Sequence, residues 1–213
     1  MIHFEIFTFN PFQENTYVVW DETLECIIID PGCHVYEERK ALTNFIADNK
    51  LKPVKLLNTH THIDHVLGNA FIKRTYNIAL HIHEKELPIL SNAPHGAAYW
   101  GFPAYEHAEP DVFLEEKSVV TFGNSSFEVL FTPGHAPGHV VFYHAEQGFC
   151  IGGDVLFKGS VGRTDLPLCS FPDLEKSIRT QLYTLPDNTV VYPGHGPSTT
   201  IGFEKKHNPY VRL

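Results

Sequence analysis

Four apolar segments of this chain each lead directly into a turn that carries histidine or aspartate. Runs of this length, bounded by Gly, Pro or Asn, are typical of buried β-strands. Side chains that follow such strands lie at the ends of a sheet, where functional sites commonly form. Any fold for this chain therefore has to place several polar groups at strand ends. The four segments cover residues 54–57, 127–131, 149–151 and 190–192.

Hydrophobic periodicity predicts further strands and three helices. They follow one another in a similar order in the two halves of the chain, which predicts sheets covered by helices, an α/β or α+β layered fold. No linker or low-complexity stretch interrupts the sequence, so residues 1–213 are expected to form one domain. The further strands are predicted at residues 2–9, 15–20, 25–29, 78–82, 119–122 and 140–144, and the helices at residues 36–48, 68–76 and 173–182.

The segment at residues 91–113 has a different character from the rest of the chain. It contains Pro94, Pro103 and Pro110 among several aromatic side chains. Proline interrupts regular structure, so the sequence predicts a long irregular loop here. Its aromatic residues favour an ordered cover over some other part of the molecule.

The charge balance narrows the classes of partner. The chain has 16 Lys and Arg against 25 Asp and Glu, a formal net charge of −9. This charge argues against a non-specific nucleic-acid binder and against attraction to anionic membranes. There is neither an N-terminal signal pattern nor an apolar run of about 20 residues, and the four cysteines form no CxxC pair. We therefore expect a cytoplasmic protein with reduced thiols, no nucleic-acid partner and no membrane anchorage.

The strongest signal for chemistry is the loop NTHTHIDHVLG at residues 58–68, which follows a buried strand and precedes a helix. His60 and His62 are two residues apart, so in an extended chain both imidazoles point to the same side. Asp64 continues that alternation, and His65 departs from it as the chain turns into the helix. One short loop can therefore offer two ligands to one metal ion and two to a neighbouring ion.

Three further candidates follow the other apolar segments: His135 in TPGH, Asp154 in GGD and His195 in YPGHG. The Gly and Pro beside them fix a turn or let the backbone approach closely. With the loop at residues 58–68 they make five histidines and two aspartates, a set that suits borderline metals such as zinc. Seven groups are too many for one tetrahedral ion and natural for two. Ordinary core histidines and capping aspartates would not explain the agreement at several separate places.

Residues 60–65, HTHIDH, resemble the HxHxDH signature of the metallo-β-lactamase-fold hydrolases, and the later candidates follow in that superfamily's order. The resemblance implies an αββα four-layer sandwich. It also implies two metal sites that share a bridging carboxylate, whose negative charge stabilises two neighbouring cations. The first site would contain His60, His62 and His135, the second would contain Asp64, His65 and His195, and Asp154 would bridge them.

Two later segments resemble the short single-domain bacterial glyoxalase II-like hydrolases: GRTDLP at residues 162–167 and YPGHGPSTT at residues 192–200. An aspartate at position 154, rather than a cysteine, departs from the antibiotic-cleaving zinc enzymes of the superfamily. Full-length glyoxalase II has a helical C-terminal domain that helps to bind glutathione. This chain ends soon after His195, so we expect that domain to be missing. The resemblance thus implies hydrolase chemistry and leaves glutathione recognition open.

The function that this resemblance implies is a dinuclear metal-dependent hydrolase of thioesters such as S-lactoylglutathione. Two divalent ions, zinc in the first place and iron or manganese as alternatives, would lower the pKa of a bridging water and supply hydroxide to the carbonyl. Asp64 and Asp154 are the expected catalytic carboxylates. Arg163 is a candidate for binding a substrate carboxylate, and an ion pair with an aspartate such as Asp165 explains it equally well.

Two other functions are compatible with the same motifs. A mononuclear iron persulfide dioxygenase shares the HxHxDH loop and a similar Gly-Arg-Thr-Asp stretch, and one metal ion per chain with oxygen uptake would identify it. A lactonase keeps the two-metal site and differs only in its substrate pocket. The sequence points to a small-molecule substrate but specifies neither its acyl group nor the oligomeric state of the protein.

Overall fold

Two six-stranded β-sheets form the centre of the computed structural model, which describes residues 1–213. The strands of the first sheet are β1 His3–Phe9, β2 Glu14–Trp20, β3 Glu25–Ile29, β4 Lys52–Leu57, β5 Leu80–His83 and β6 Val112–Leu114. They lie side by side in chain order. The first three pair antiparallel, and the pairs from β3 to β6 are parallel.

The strands of the second sheet are β7 Val119–Phe122, β8 Ser125–Phe131, β9 Val140–His144, β10 Phe149–Gly153, β13 Val190–Pro193 and β14 Thr199–Thr200. They lie in the order β14-β13-β10-β9-β8-β7, with one parallel pair, β10 with β13. The intervening strands, β11 Leu156–Phe157 and β12 Ser160–Val161, form a short hairpin outside both sheets.

Helices cover the outer face of each sheet. Those in the first half of the chain pack on the first sheet, and those in the second half pack on the second sheet. A π-helical turn, Ile178–Leu182, extends the helix that precedes it, so the helix predicted over residues 173–182 is present in two parts. The helices are α1 Tyr36–Asp48, α2 Ile63–Val66, α3 Asn69–Tyr76, α4 Leu87–Trp100, α5 Phe171–Ser177 and α6 Ile201–His207.

The alternation of side chains along the strands divides the core into layers. In β3, Ile28 packs in the cluster under α1, whereas Ile27 packs in the cluster between the sheets. In β9, Phe142 belongs to the inter-sheet cluster, whereas Tyr143 packs with the helices of the second half. A period of two is what extended backbone imposes on its side chains. The αββα four-layer sandwich expected from the sequence is confirmed.

The prediction of an irregular loop over residues 91–113 is wrong at both ends, because α4 continues to Trp100 and β6 begins at Val112. Pro88 lies in the first turn of this helix, where a missing N–H costs nothing. Leu90, Ala93 and Ala97 are buried at helical spacing, and this packing outweighs the break expected at Pro94. The irregular segment begins only after Gly101, whose φ of 82° ends the helix in the left-handed conformation.

The predicted site residues meet because parallel strands end at the same edge of a sheet. Ile29 at the end of β3 lies beside Leu57 at the end of β4, and Gly153 of β10 lies beside Pro193 of β13. Ligands commonly bind outside such carboxyl ends. The N–H of Val140 donates to the carbonyl of Thr59 across the two sheets at 2.8 Å, which holds the two edges together.

The structure also bears on the membrane and thiol expectations. None of the helices combines the length and the apolar character needed to cross a bilayer. All four cysteines are unpaired, and Cys26, Cys33 and Cys150 are buried. Burial raises the pKa of each of these three thiols to about 12, so they remain neutral apolar groups at physiological pH.

Truncation of the inter-sheet core tests this architecture. Phe127 is fully buried between the sheets, and we expect Phe127→Ala to lower the free energy of unfolding by about 3–5 kcal/mol, because it leaves a cavity. Urea unfolding of the two proteins, prepared in the same metal-free buffer, measures the difference. Phe203→Ala on the exposed side of α6 is the control, and an equal loss in both variants would contradict the assigned layers.

Candidate metal centre

Six of the predicted residues form two clusters at the shared edge of the sheets. In each cluster the potential ligand atoms all lie within 4.8 Å of one another. The segment after β4, a loop that runs into α2, supplies two members of each cluster, as the spacing HxHxDH predicts. The first cluster consists of His60, His62 and His135, and the second consists of Asp64, His65 and His195.

The carboxylate of Asp154 lies between the two clusters. Its Oδ2 atom is 3.6 Å from Nε2 of His135 in the first cluster and 3.5 Å from Nε2 of His195 in the second. Its Oδ1 atom is 3.6 Å from Nε2 of His65. A side chain at Gly194 would collide with this carboxylate, so only glycine leaves it room. The structure therefore brings all seven predicted residues together, and their role as metal ligands stays a prediction.

The donor set fits a metal because it contains buried polar atoms that the protein leaves without a partner. Nε2 of His60, Nε2 of His65 and Oδ1 of Asp154 are buried and make no hydrogen bond. Buried polar atoms in folded proteins nearly always have a hydrogen-bond partner, so three atoms without one in the same place need an explanation. Imidazole nitrogen and carboxylate oxygen are ligands that zinc, iron and manganese accept.

The protonation states of the first cluster and of Asp154 suit a cation, because neutral imidazoles and ionised carboxylates are the forms that bind metals. Burial, reinforced by the neighbouring imidazoles, holds the pKa of His60 well below its usual value and lowers the pKa of His62 to about 3. Burial opposes ionisation of Asp154, but the neighbouring His65 outweighs it, and the pKa of Asp154 is lowered. In the second cluster the neighbouring carboxylates outweigh burial and raise the pKa of His65 and of His195, so metal binding there would release protons from these rings.

In His65, His135 and His195 the second ring nitrogen, Nδ1, is held by a hydrogen bond that fixes the ring. Nδ1 of His135 donates to the carbonyl of Arg163 at 2.8 Å, and Nδ1 of His195 donates to the carbonyl of Phe12 at 3.0 Å. Nδ1 of His65 donates to Asp30 at 3.2 Å. Metal-bound histidines are usually oriented in this way. These contacts leave Nε2 of each ring directed at the centre.

The sequence analysis assigned no role to Asp30, which follows β3 directly. Its carboxylate accepts hydrogen bonds from the N–H of Thr59 at 2.7 Å, from the hydroxyl of Thr59 at 2.6 Å and from His65. The hydroxyl of Thr59 in turn contacts Nδ1 of His60 at 3.1 Å. One buried carboxylate thus orients a histidine of each cluster. A charged residue directly after the apolar strand β3 was the signal that could have found it.

Glu86 is a second residue that the sequence did not reveal. It is fully buried, and its carboxylate accepts hydrogen bonds from the N–H of Thr61 at 2.8 Å and from the N–H of Gly138 at 2.7 Å. It therefore ties the loop of His60 to the loop of His135. Burial raises the pKa of Glu86 to about 7, although the hydrogen bonds oppose the shift. In the sequence it stands among charged residues that read as a solvent-exposed turn.

His139 supports the centre without belonging to either cluster. Its Nε2 accepts a hydrogen bond from the N–H of Asp154 at 3.0 Å, and its ring stacks on His60 with 5.0 Å between the ring centres. Its Nδ1 contacts the hydroxyl of Thr132 at 3.1 Å. The ring thus fixes the backbone that carries Asp154.

Arg163 lies on the rim of the cleft above the two clusters. Its guanidinium forms a two-point ion pair with Asp165, with N···O distances of 2.7 and 2.9 Å. Both side chains are exposed, so the pair contributes little to stability. The structure therefore contains the ion pair foreseen as the alternative explanation, and substrate binding by Arg163 stays a proposal.

The cleft has a volume of about 550 Å³, within the range of small-molecule sites. Five of the seven predicted residues reach its floor: His62, Asp64, His135, Asp154 and His195. Its walls are mostly apolar and include Phe12, Ile63, Trp100, Phe157 and Leu166.

Comparison with known proteins decides the family. The profile of the Metallo-beta-lactamase superfamily matches residues 9–195. The chain belongs to this superfamily. It is also 36% identical over 212 residues to hydroxyacylglutathione hydrolase GloC of Haemophilus influenzae, which covers 99% of this chain and 98% of that protein. Membership supports a metal-dependent hydrolase that acts on a small molecule.

Solved structures agree with the fold and leave the metal open. BLEG-1 B3 metallo-β-lactamase is 36% identical, with a TM-score of 0.89 over 98% of this chain and 99% of that chain. TTHA1623, solved in a di-iron-bound form, is 38% identical, with a TM-score of 0.87 over 97% of this chain and 100% of that chain. ETHE1 from Myxococcus xanthus is 26% identical, with a TM-score of 0.80 over 97% and 83% of the two chains.

The contacts of Glu86 predict the effect of a neutral substitution. A glutamine at this position can accept only one of the two backbone N–H groups and turns its own N–H₂ toward the other. We therefore expect Glu86→Gln to lower the free energy of unfolding by about 1–3 kcal/mol and to weaken zinc binding by roughly 10- to 100-fold. Calorimetric zinc titration measures the affinity. Glu84→Gln, exposed in the same turn, is the control, and unchanged zinc affinity in Glu86→Gln would disprove the positioning role.

Proposed function

We propose that this protein is a dinuclear metal-dependent hydrolase of thioesters such as S-lactoylglutathione. The observation that carries the proposal is the position of Asp154, whose carboxylate is within reach of His135 on one side and of His65 and His195 on the other. A single-metal site would need only the first cluster. The similarity to GloC, described as a hydroxyacylglutathione hydrolase, supports the substrate class.

The residues divide between the two ions as follows in this proposal. The first ion would be held by His60, His62 and His135, the second by Asp64, His65 and His195, and Asp154 would serve both. When bound, two divalent cations supply a water-derived nucleophile at neutral pH and polarise the substrate carbonyl. Zinc is the first expectation, and iron or manganese are alternatives, to which the di-iron form of TTHA1623 gives weight.

The carboxylate of Asp64 is proposed to orient the attacking water. Asp64 lies on the cleft floor with its Oδ2 atom 3.1 Å from Nε2 of His195. The pKa of Asp64 is lowered, because the neighbouring histidines outweigh the effect of burial. An ionised carboxylate in this place accepts a hydrogen bond from the attacking water and so orients it.

The chain offers no rival nucleophile in the cleft. Ser160 lines the wall, but its hydroxyl contacts the carbonyl of Val161 and no histidine. An unactivated serine does not attack a thioester. A thiol has a pKa near 8.5, so its thiolate leaves without protonation by a general acid. This suits a cleft floor that contains carboxylates and candidate metal-binding imidazoles and needs no proton donor there.

Arg163 is proposed to bind a carboxylate of the thiol carrier. The guanidinium already holds the carboxylate of Asp165 in a two-point geometry on an exposed rim. A substrate carboxylate can replace that partner at little cost, because exposed pairs are weak.

In this proposal the protein acts in the cytoplasm, as its unpaired and largely buried cysteines suggest.

Removal of the shared carboxylate tests the mechanism. Asp154→Ala is expected to lower kcat for S-lactoylglutathione at least roughly 100-fold and to reduce the bound metal below two ions per chain, because both clusters lose a ligand. Thiol release and elemental analysis measure the two effects. Asp187→Ala, an exposed aspartate paired with Lys205, serves as the control. Thioester hydrolysis by Asp154→Ala at the wild-type rate would contradict the proposed mechanism.

Removal of the Arg163 guanidinium tests its proposed role in binding a substrate carboxylate. Arg163→Ala is expected to raise KM for glutathione thioesters by roughly three- to tenfold with kcat nearly unchanged, since an exposed charged contact is modest in strength. Steady-state kinetics separates the two constants. Arg179→Ala, which removes an exposed arginine paired within its own helix turn, should behave as wild type. An unchanged KM in Arg163→Ala would assign the side chain to its ion pair alone.

A mononuclear iron persulfide dioxygenase is the second candidate, and the likeness to ETHE1 gives it some weight. The second cluster, with His195 3.1 Å from Asp64, favours hydrolysis instead. One metal ion per chain together with oxygen uptake on glutathione persulfide would reverse this order. Lactones belong in the same substrate screen, and so does a β-lactam, because the similar BLEG-1 is described as a B3 metallo-β-lactamase.

A further inference from the structure

A second cavity of about 550 Å³ lies next to the cleft above the two clusters. The two cavities share His62, Ile63, Trp100 and Leu166 as lining residues. Because His62 belongs to the first cluster, the second cavity begins at the reaction centre and leads away from it between α4 and the segment at residues 166–168. We call this second cavity the side groove.

The lining of the side groove contains no Asp, Glu, Lys or Arg. Helix α4 contributes Pro88, Ile89 and Ala93, and Pro167 and Leu168 line the groove from the other segment. Its polar lining residues are Thr61, His62, Ser91, Asn92 and His95. Such a surface gains free energy by covering apolar groups and offers no carboxylate, ammonium or guanidinium group as an ion-pair partner.

The main cleft carries the charges that the side groove lacks. Arg163 lies on its rim, and the carboxylates of Asp64 and Asp154 lie on its floor. A thioester with its carbonyl over that floor has room for one arm in the main cleft and for the other past His62 in the side groove. The charged thiol carrier suits the main cleft with Arg163, and the apolar acyl arm suits the side groove.

We propose that the side groove binds the acyl chain of the substrate and that the protein prefers thioesters with apolar acyl chains longer than lactoyl. This inference rests on the proposed thioester hydrolysis and specifies its substrate class. Trp100 and Ile63 stand at the junction of the two cavities, so the first carbons of the chain contact these side chains. The half-exposed indole of Trp100 is then covered when substrate binds.

Gly96 provides a way to close the side groove without disturbing the fold. It lines the groove from within α4, and a Cβ atom built there would meet only the side chain of Ile63, at 3.9 Å. There is thus room for a larger side chain, which would project between the walls. Leucine also favours the helix more than glycine does, so Gly96→Leu should fold at least as well as wild type.

A series of glutathione thioesters with acetyl, butyryl, hexanoyl and octanoyl groups, together with S-lactoylglutathione, tests the preference. For the metal-loaded protein we expect kcat/KM to rise about two- to fourfold per added methylene until the groove is filled, as burial of a CH₂ group predicts. Gly96→Leu should abolish this dependence, because its side chain fills the groove. Ala98→Leu, on the exposed face of the same helix outside the groove, should retain the full dependence.

Binding of unreactive thioethers gives a readout that does not depend on turnover. We expect S-octylglutathione to bind at least roughly tenfold more tightly than S-methylglutathione by calorimetry, and Gly96→Leu should remove the difference. Turnover of thioesters without chain dependence, or equal binding of the two thioethers, would overturn the role of the groove and leave the proposed function intact. No turnover of any thioester in the series would instead overturn the proposed function itself.

Discussion

The structure is organised around a group of buried side-chain nitrogen and oxygen atoms that have no hydrogen-bond partner in the protein. Unpartnered atoms of His60, His65 and Asp154 meet where the ends of the two sheets join. Leaving such groups buried and unpaired costs free energy, and a cation in the proposed centre would remove that cost. Metal binding and stability of the fold are therefore expected to be coupled.

The residues behind the ligands explain how the site keeps its shape. Asp30 orients a histidine in each cluster, and Glu86 connects the two loops that carry the first cluster. His139 fixes the backbone of Asp154. These three side chains are buried and come from three separate places along the chain. The positions of the candidate ligands are thus set by the packing of the layers as much as by the loops themselves.

Much of the fold and of the candidate site could be predicted from the sequence because both depend on local patterns. The apolar segments of β3 and β9 and the helical spacing in α1 predicted sheets covered by helices. The resemblance carried by HTHIDH implied the four-layer sandwich, and the same motif predicted the loop of candidate ligands. The helical part of residues 91–113 could not be foreseen, because burial of Leu90, Ala93 and Ala97 outweighs the prolines. Glu86 was hidden for a similar reason, since its burial depends on contacts with loops far away in sequence.

The proposed dinuclear centre requires two metal ions per chain, because the seven residues form two clusters with Asp154 between them. Native mass spectrometry of the wild-type protein, purified without chelator and then supplied with excess zinc, measures this number directly. We expect two ions to remain bound per chain after the excess zinc is removed. A single retained ion per chain would rule out a dinuclear centre and would favour a mononuclear centre at His60, His62 and His135.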